Sequence, residues 1–112
     1  MKTGTELWTY GSGVDRTNQW IGYDVEATDG RIGKVDEMST EAGRAHIVVD
    51  TGPWIFGKKR MIPAGAVRSV DHSDRVVRVS MSKEEIKEAP DAEDLRDEGY
   101  FERHTTYYGR YA

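Results

Sequence analysis

Three stretches decide how this chain reads: IGYDVEATDGRIGKV at 21–35, HIVVDTGPWIFGKKRMIPAGAV at 46–67 and RVVRVSMSKEEIKEAP at 75–90. Each joins short β-rich runs through turn residues. Asp29-Gly30 reads as a two-residue primed hairpin turn between Val25 and Ile32, because both residues tolerate φ > 0. Beyond it, Ile32, Val35 and Met38 recur every three positions, which is not the period of a flat strand. Gly33 favours a bulged strand beside the turn over a helix. A second turn is expected at 41–43. Ala45, Ile47 and Val49 then alternate with His46, Val48 and Asp50. Val48 makes the second face partly apolar, as expected of a strand covered on both sides. Gly52-Pro53 breaks this strand, and 52–59 form a loop or a tight extension of the hairpin. Arg60–Ile62 is a brief strand stopped by Pro63. Val67–Val70 is another, 71–74 a polar turn, and Val77, Val79 and Met81 line one face of the next, with Arg78 and Ser80 pointing away. The order fits a small closed sheet.

A helix start follows. Ser82 precedes Glu85 by three residues, the spacing of a capping box. Met81 and Ile86 add a hydrophobic staple, and Glu84 and Glu85 suit the positive end of the helix. Lys83 and Lys87 share a solvated face. Pro90 ends the helix after little more than two turns. So short a helix is marginal alone, so Ile86 and Ala89 must dock on the sheet.

On either side the chain changes character. Residues 1–19 are polar, with Leu7, Trp8, Tyr10 and Val14 as the only anchors. They read first as a loose arm, and second as a short edge strand or a hook onto a neighbouring subunit. Residues 91–112 hold six acids, three arginines and four tyrosines. A further helical turn or two is expected within 92–99. This extension packs on its own barrel, exchanges onto another subunit, or serves as a ligand arm.

At 112 residues the chain can bury one modest core. There is no cysteine, so disulfide and thiolate chemistry are excluded. The net charge of −4 lowers the expectation of a nucleic-acid binder without removing a local patch. No apolar run approaches the roughly 18 residues of a spanning helix. The N-terminus has no apolar core of a signal peptide. A cytoplasmic location is expected.

Taken in order, these elements resemble the PRC-barrel family. The residues that carry the resemblance are Val25, Asp29-Gly30, Ile32-Gly33-Lys34-Val35, Gly43, Val48-Val49, Gly52, Gly57, Ile62-Pro63, Val77–Val79, Ser82, Glu84, Ile86 and Ala89-Pro90. Residues 20–90 are covered. The ending YYGRY at 107–111 is similar to the tails of small stand-alone bacterial members. Trp54 and Ile55 depart from the commoner glycine-rich loop. The resemblance implies a mainly β fold: a small barrel of about six short strands, a short C-terminal helix and an aromatic tail. The family includes the cytoplasmic domain of a photosynthetic reaction-centre subunit and a domain of a ribosome-maturation factor, so the fold alone implies no single activity.

Candidate chemistry is sparse. His46, His72 and His104 match no local metal signature, and His72 reads as a solvated turn residue. No serine sits in a nucleophile setting, and Ser82 is explained as a cap. Residues 52–57 lack the ending of a phosphate loop. No catalytic, cofactor or metal site is expected, and the chain is read as a non-enzyme. The candidate interaction residues are Trp54 and Phe56 with the basic rim Lys58, Lys59 and Arg60, together with Tyr100, Phe101, Tyr107, Tyr108 and Tyr111. Aromatic and Arg side chains are common interface anchors. The bland alternative is that the rings cap or fill the barrel. Asp29, Gly30, Gly33, Gly52, Gly57, Pro63, Ser82, Glu85 and Pro90 are assigned structural roles. The expected function is a scaffold or regulatory protein-interaction module, acting as a homodimer with an unidentified protein partner. RNA or ribosome-associated binding is the first alternative. A peripheral module of a membrane electron-transfer assembly is the second.

Overall fold

The computed structural model describes residues 9–11, 20–41, 45–52, 59–89 and 100–108, and in the last stretch the side chains of Arg103 and of 105–108. Six strands form one mixed sheet. They are β1 (Asp24–Ala27), β2 (Gly30–Ser39), β3 (His46–Asp50), β4 (Lys59–Pro63), β5 (Val67–Asp71) and β6 (Val76–Val79). Two short helices follow, α1 (Lys83–Lys87) and α2 (Tyr100–Tyr108). The strand order is β4-β3-β2-β1-β6-β5. All neighbours are antiparallel except β1 and β6, which run parallel.

This order forces curvature. β4 and β5 lie at opposite edges of the sheet, yet only the 3-10 turn Ala64–Ala66 separates them in sequence. Four Cα steps span at most about 15 Å. A flat sheet of this size would hold its edges roughly 24 Å apart at the usual strand spacing. The sheet is therefore rolled. The turn bonds to both sides of the gap: Ala64 N–H donates to Ala45 C=O at 3.0 Å, and Ser80 N–H donates to Ala66 C=O at 2.9 Å. Among the described residues no ladder pairs β4 with β5.

Alternation explains the core. Val25, Ile47, Val49, Ile62, Val77 and Val79 are buried, while Arg78 on β6 is exposed. Val48 and Met61, paired across β3 and β4, are buried as well, so this part of the sheet is covered on both faces. The three-residue spacing in β2 has a physical cause. One bulge leaves Ile32 unpaired opposite β1, and another leaves Asp36 unpaired opposite β3. Each adds a residue to the normal step of two. Gly33 lies at the close approach of β2 to β3: a Cβ there would sit 2.1 Å from the Asp50 carbonyl oxygen.

The hairpin turn differs from expectation by one residue. Ala27 pairs with Gly30, so Thr28 and Asp29 occupy the corner rather than Asp29-Gly30. Gly30 alone carries the positive φ there, at 139°. The bulge at Ile32 absorbs the shift.

Helix α1 has five residues, shorter than the two turns expected, and is held at both ends from outside. Ser82 Oγ accepts Glu85 N–H at 3.2 Å, and Glu85 Oε1 accepts Ser82 N–H at 2.9 Å, completing the capping box. Asp29 Oδ1 accepts Lys83 N–H at 2.9 Å. At the other end the Tyr107 hydroxyl donates to Glu85 C=O, and Arg60 Nη2 donates to Lys87 C=O at 3.1 Å. These partners satisfy end groups that a short helix cannot pair internally. Met81, Ile86 and Ala89 are buried beneath it.

The flanks are anchored by tyrosines. Tyr10 is buried edge-to-face on Trp20, with ring centroids 5.1 Å apart. Its hydroxyl is shared between the carbonyls of Ser39 at 3.0 Å and His46 at 3.1 Å, which face each other across β2 and β3. The expected loose arm is thus pinned at this point. α2 was not expected as a helix. Tyr108 is fully buried, and its hydroxyl donates to Met61 C=O. The expected helical turn within 92–99 lies outside the described residues.

Candidate functional site

The outer face of the sheet carries charges that alternate across the strands. Lys59, Asp50, Lys34 and Asp24 form one row in register, and Arg31, Glu26 and Arg78 form another. Such pairs hold register, although each exposed ion pair is worth only ~0–1 kcal/mol. Arg31 Nε and Lys34 Nζ both reach Asp24 Oδ1, at 3.0 and 3.2 Å. Their hydrogen bonds, Arg31 first, hold the Asp24 carboxyl below its ordinary range. Arg78 Nε lies 3.6 Å from Glu26 Oε2.

The rows end at a recess of about 550 Å³ between the β1–β2 turn and the end of β3. Arg31, Lys34 and Lys83 supply its cations, Asp50 its carboxylate, and Gly33 and Gly52 part of its wall. The position of Lys83 is set twice by the hairpin turn. Asp29 takes its main-chain N–H, and Gly30, lacking a Cβ, leaves room for its side chain. A Cβ at Gly30 would meet Lys83 Cε at 3.0 Å and Nζ at 3.1 Å. Lys83 pairs with no described carboxylate. At the far wall Gly52 has φ 60°, and its N–H donates to Asp50 Oδ1 at 2.9 Å. The recess is open, and charged side chains border it. A second recess of about 320 Å³, bordered by Glu26, Gly30, Arg68 and Arg78, lies on the other side of the turn.

The residues singled out from the sequence distribute differently. Trp54, Phe56, Gly57, Lys58, Pro90 and Tyr111 lie outside the described residues. Tyr100 and Phe101 belong to α2, and their side chains lie outside the description. Lys59 is exposed but bound to Asp36 Oδ2 at 2.8 Å, a contact that raises its pKa. Arg60 is not a rim residue. It pairs with Val49 on the core side of the sheet, is 6% exposed, and caps α1. Tyr107 is half-buried and Tyr108 buried, both bonded within the chain. Asp29, Gly30, Gly33, Ser82 and Glu85 act structurally as described above, Gly52 turns the chain after β3, and Pro63 ends β4. His72 is not a simple solvated turn residue: its Nδ1 lies 2.9 Å from the Tyr23 hydroxyl, with the rings edge-to-face. Among the described residues no group of three or more His, Asp or Glu is placed to hold a metal ion, and no helix is long and apolar enough to cross a membrane.

The sequence alone does not group Arg31, Lys34, Lys83 and Asp50. They come from three elements, and no local spacing joins them. No protein-family model matches the chain, and no curated protein matches it in sequence.

Proposed function

We propose that this chain is a PRC-type barrel, its rolled sheet closed between β4 and β5 by side chains, that works in the cytoplasm by contact. It is a non-enzymatic scaffold or regulatory protein-interaction module and acts as a homodimer. The observation that carries this reading is the contrast between interior and surface. The interior is packed with Trp20, Tyr108, Ile47, Met61, Ile62, Met81 and Ile86, all fully buried. Among the described residues, a recess of about 550 Å³ is an open groove on the outside, lined by Arg31, Lys34, Lys83 and Asp50. A chain built this way recognises through its surface.

In the proposed dimer the aromatic flanks exchange between copies. Tyr10, Tyr107 and Tyr108 each bond a main-chain carbonyl. Those acceptors are identical in every copy, so the same seats fit the segments of a second chain. Light scattering across a concentration series tests this. Dimer mass at micromolar protein is expected, and a strict monomer at high micromolar concentration removes the homodimer. Crosslinking and affinity recovery from the native organism tests the module itself: a specific protein partner is expected, and recovery of none counts against it. The RNA-binding alternative loses part of its support, because Lys59 and Arg60 are engaged by Asp36 and by the end of α1.

A further inference from the structure

We propose that the groove between the β1–β2 turn and the end of β3 binds an extended acidic polypeptide segment, whose carboxylates are received by Arg31, Lys34 and Lys83. The inference rests on the protein-interaction reading and names the chemistry of its partner.

Three observations carry it. First, the groove holds surplus positive charge. Arg31 and Lys34 share one oxygen of one carboxylate, and the Lys83 ammonium forms no ion pair with a described carboxylate. Arg31 uses its Nε for Asp24, so its two terminal nitrogens have no hydrogen-bond partner among the described residues. Those nitrogens form the edge that suits a bidentate carboxylate. Second, the cation is placed rather than merely present. The hairpin turn takes the Lys83 amide at Asp29 and clears space for its side chain at Gly30. That reduces the ordering cost of binding. Third, the groove is not uniformly cationic. Asp50 borders it, with Oδ1 taken by Gly52 N–H and no described hydrogen bond to Oδ2. A phosphate dianion offers that carboxylate no N–H donor. An extended acidic peptide instead offers carboxylates to the cations and main-chain N–H groups to Asp50. A nucleic-acid backbone carries no N–H donor for Asp50 and fits less well.

The test is fluorescence anisotropy with labelled hexaglutamate and hexaglutamine on the full chain. Hexaglutamate is expected to bind at low salt and to weaken as salt rises, while hexaglutamine does not bind. Lys83→Glu and Arg31→Gln should each weaken binding about ten-fold, the scale of one charged hydrogen bond. Lys83→Glu preserves the main-chain bond to Asp29 and places an acid in the first turn of α1, where it is favourable. Lost binding therefore does not reflect lost folding, and thermal melting of the variant confirms it. Lys87→Glu, with the same charge change one turn away on the same helix, should leave affinity within two-fold. The proposal is overturned by no hexaglutamate binding at low salt, or by equal losses for Lys83→Glu and Lys87→Glu. It is also overturned by displacement with low-millimolar inorganic phosphate, or by a short single-stranded RNA that binds more tightly through the same residues. If a protein partner recovered by crosslinking is retained fully by Lys83→Glu, the groove assignment fails while the interaction module stands.

Discussion

Replacing Ser82 with Ala tests the local design most directly. The hydroxyl accepts Glu85 N–H, and its loss leaves that amide without its side-chain partner and one half of the capping box undone. Caps of this kind contribute about 0.5–2 kcal/mol. The effect should reach about 1 kcal/mol here, because α1 has only five residues and little internal stability to spare. It should not reach the top of the range, since Asp29 still holds Lys83 N–H. In a domain of 112 residues about 1 kcal/mol lowers the melting temperature by roughly 4 °C. The damage should also travel. Tyr107 bonds Glu85 C=O, so a frayed α1 removes one anchor of α2. Hydrogen exchange should speed up first across 83–89 and then across 100–108. Ser82→Asp should restore most of the loss, because Asp is an equally good cap. Unchanged stability with unchanged exchange across 83–89 would refute the cap. Faster exchange in α1 with an untouched α2 would keep the cap and reject the coupling.

Three further outcomes are expected. Gly33→Ala puts a Cβ 2.1 Å from the Asp50 carbonyl oxygen and 2.9 Å from its carbon, so β2 and β3 must part; a loss of about 1–3 kcal/mol in chemical denaturation is expected, and a neutral variant would contradict the close approach. Tyr107→Phe leaves Glu85 C=O without its side-chain donor and should cost about 1 kcal/mol, with faster exchange confined mainly to α2 and the end of α1; an unchanged denaturation midpoint argues against that bond. Asp24 has a depressed pKa in the folded state, so its contribution is complete above the ordinary carboxylate range and is lost as pH falls through the depressed value. At low ionic strength wild type should exceed Asp24→Asn in stability near neutral pH, and the gap should close on acidification; a gap independent of pH denies the linkage.

Much of the strand pattern was legible. Val77 and Val79 at alternate positions and the Ser82–Glu85 spacing each encode a local preference that survives folding: alternation fixes which face of a strand is apolar, and the cap pairs with a residue three positions on. The bulged β2 was legible too, since Gly33 signalled the irregularity, although the second bulge at Asp36 was not. In α2 the aromatic composition of the tail hides a helical spacing. Tyr100, Tyr107 and Tyr108 recur near the helical period, and that signal was present in 100–108.

By itself, the sequence determined the mainly β class, the strand runs, the capped helix and the break at Pro63, all from periodicity, turn chemistry and backbone restriction. Only the tertiary structure decided that β1 lies parallel to β6, that the edge strands β4 and β5 are drawn together by three residues, and that Arg60 faces the core and caps α1 instead of rimming a surface. It also decided that Asp29 and Gly30 hold Lys83, 54 positions away from Asp29 in sequence, at the mouth of a groove shared with Arg31, Lys34 and Asp50. The physical reason is range. A cap or an alternation is settled between residues a few positions apart, whereas a charge groove exists only once the roll of the sheet brings separate turns to the same place.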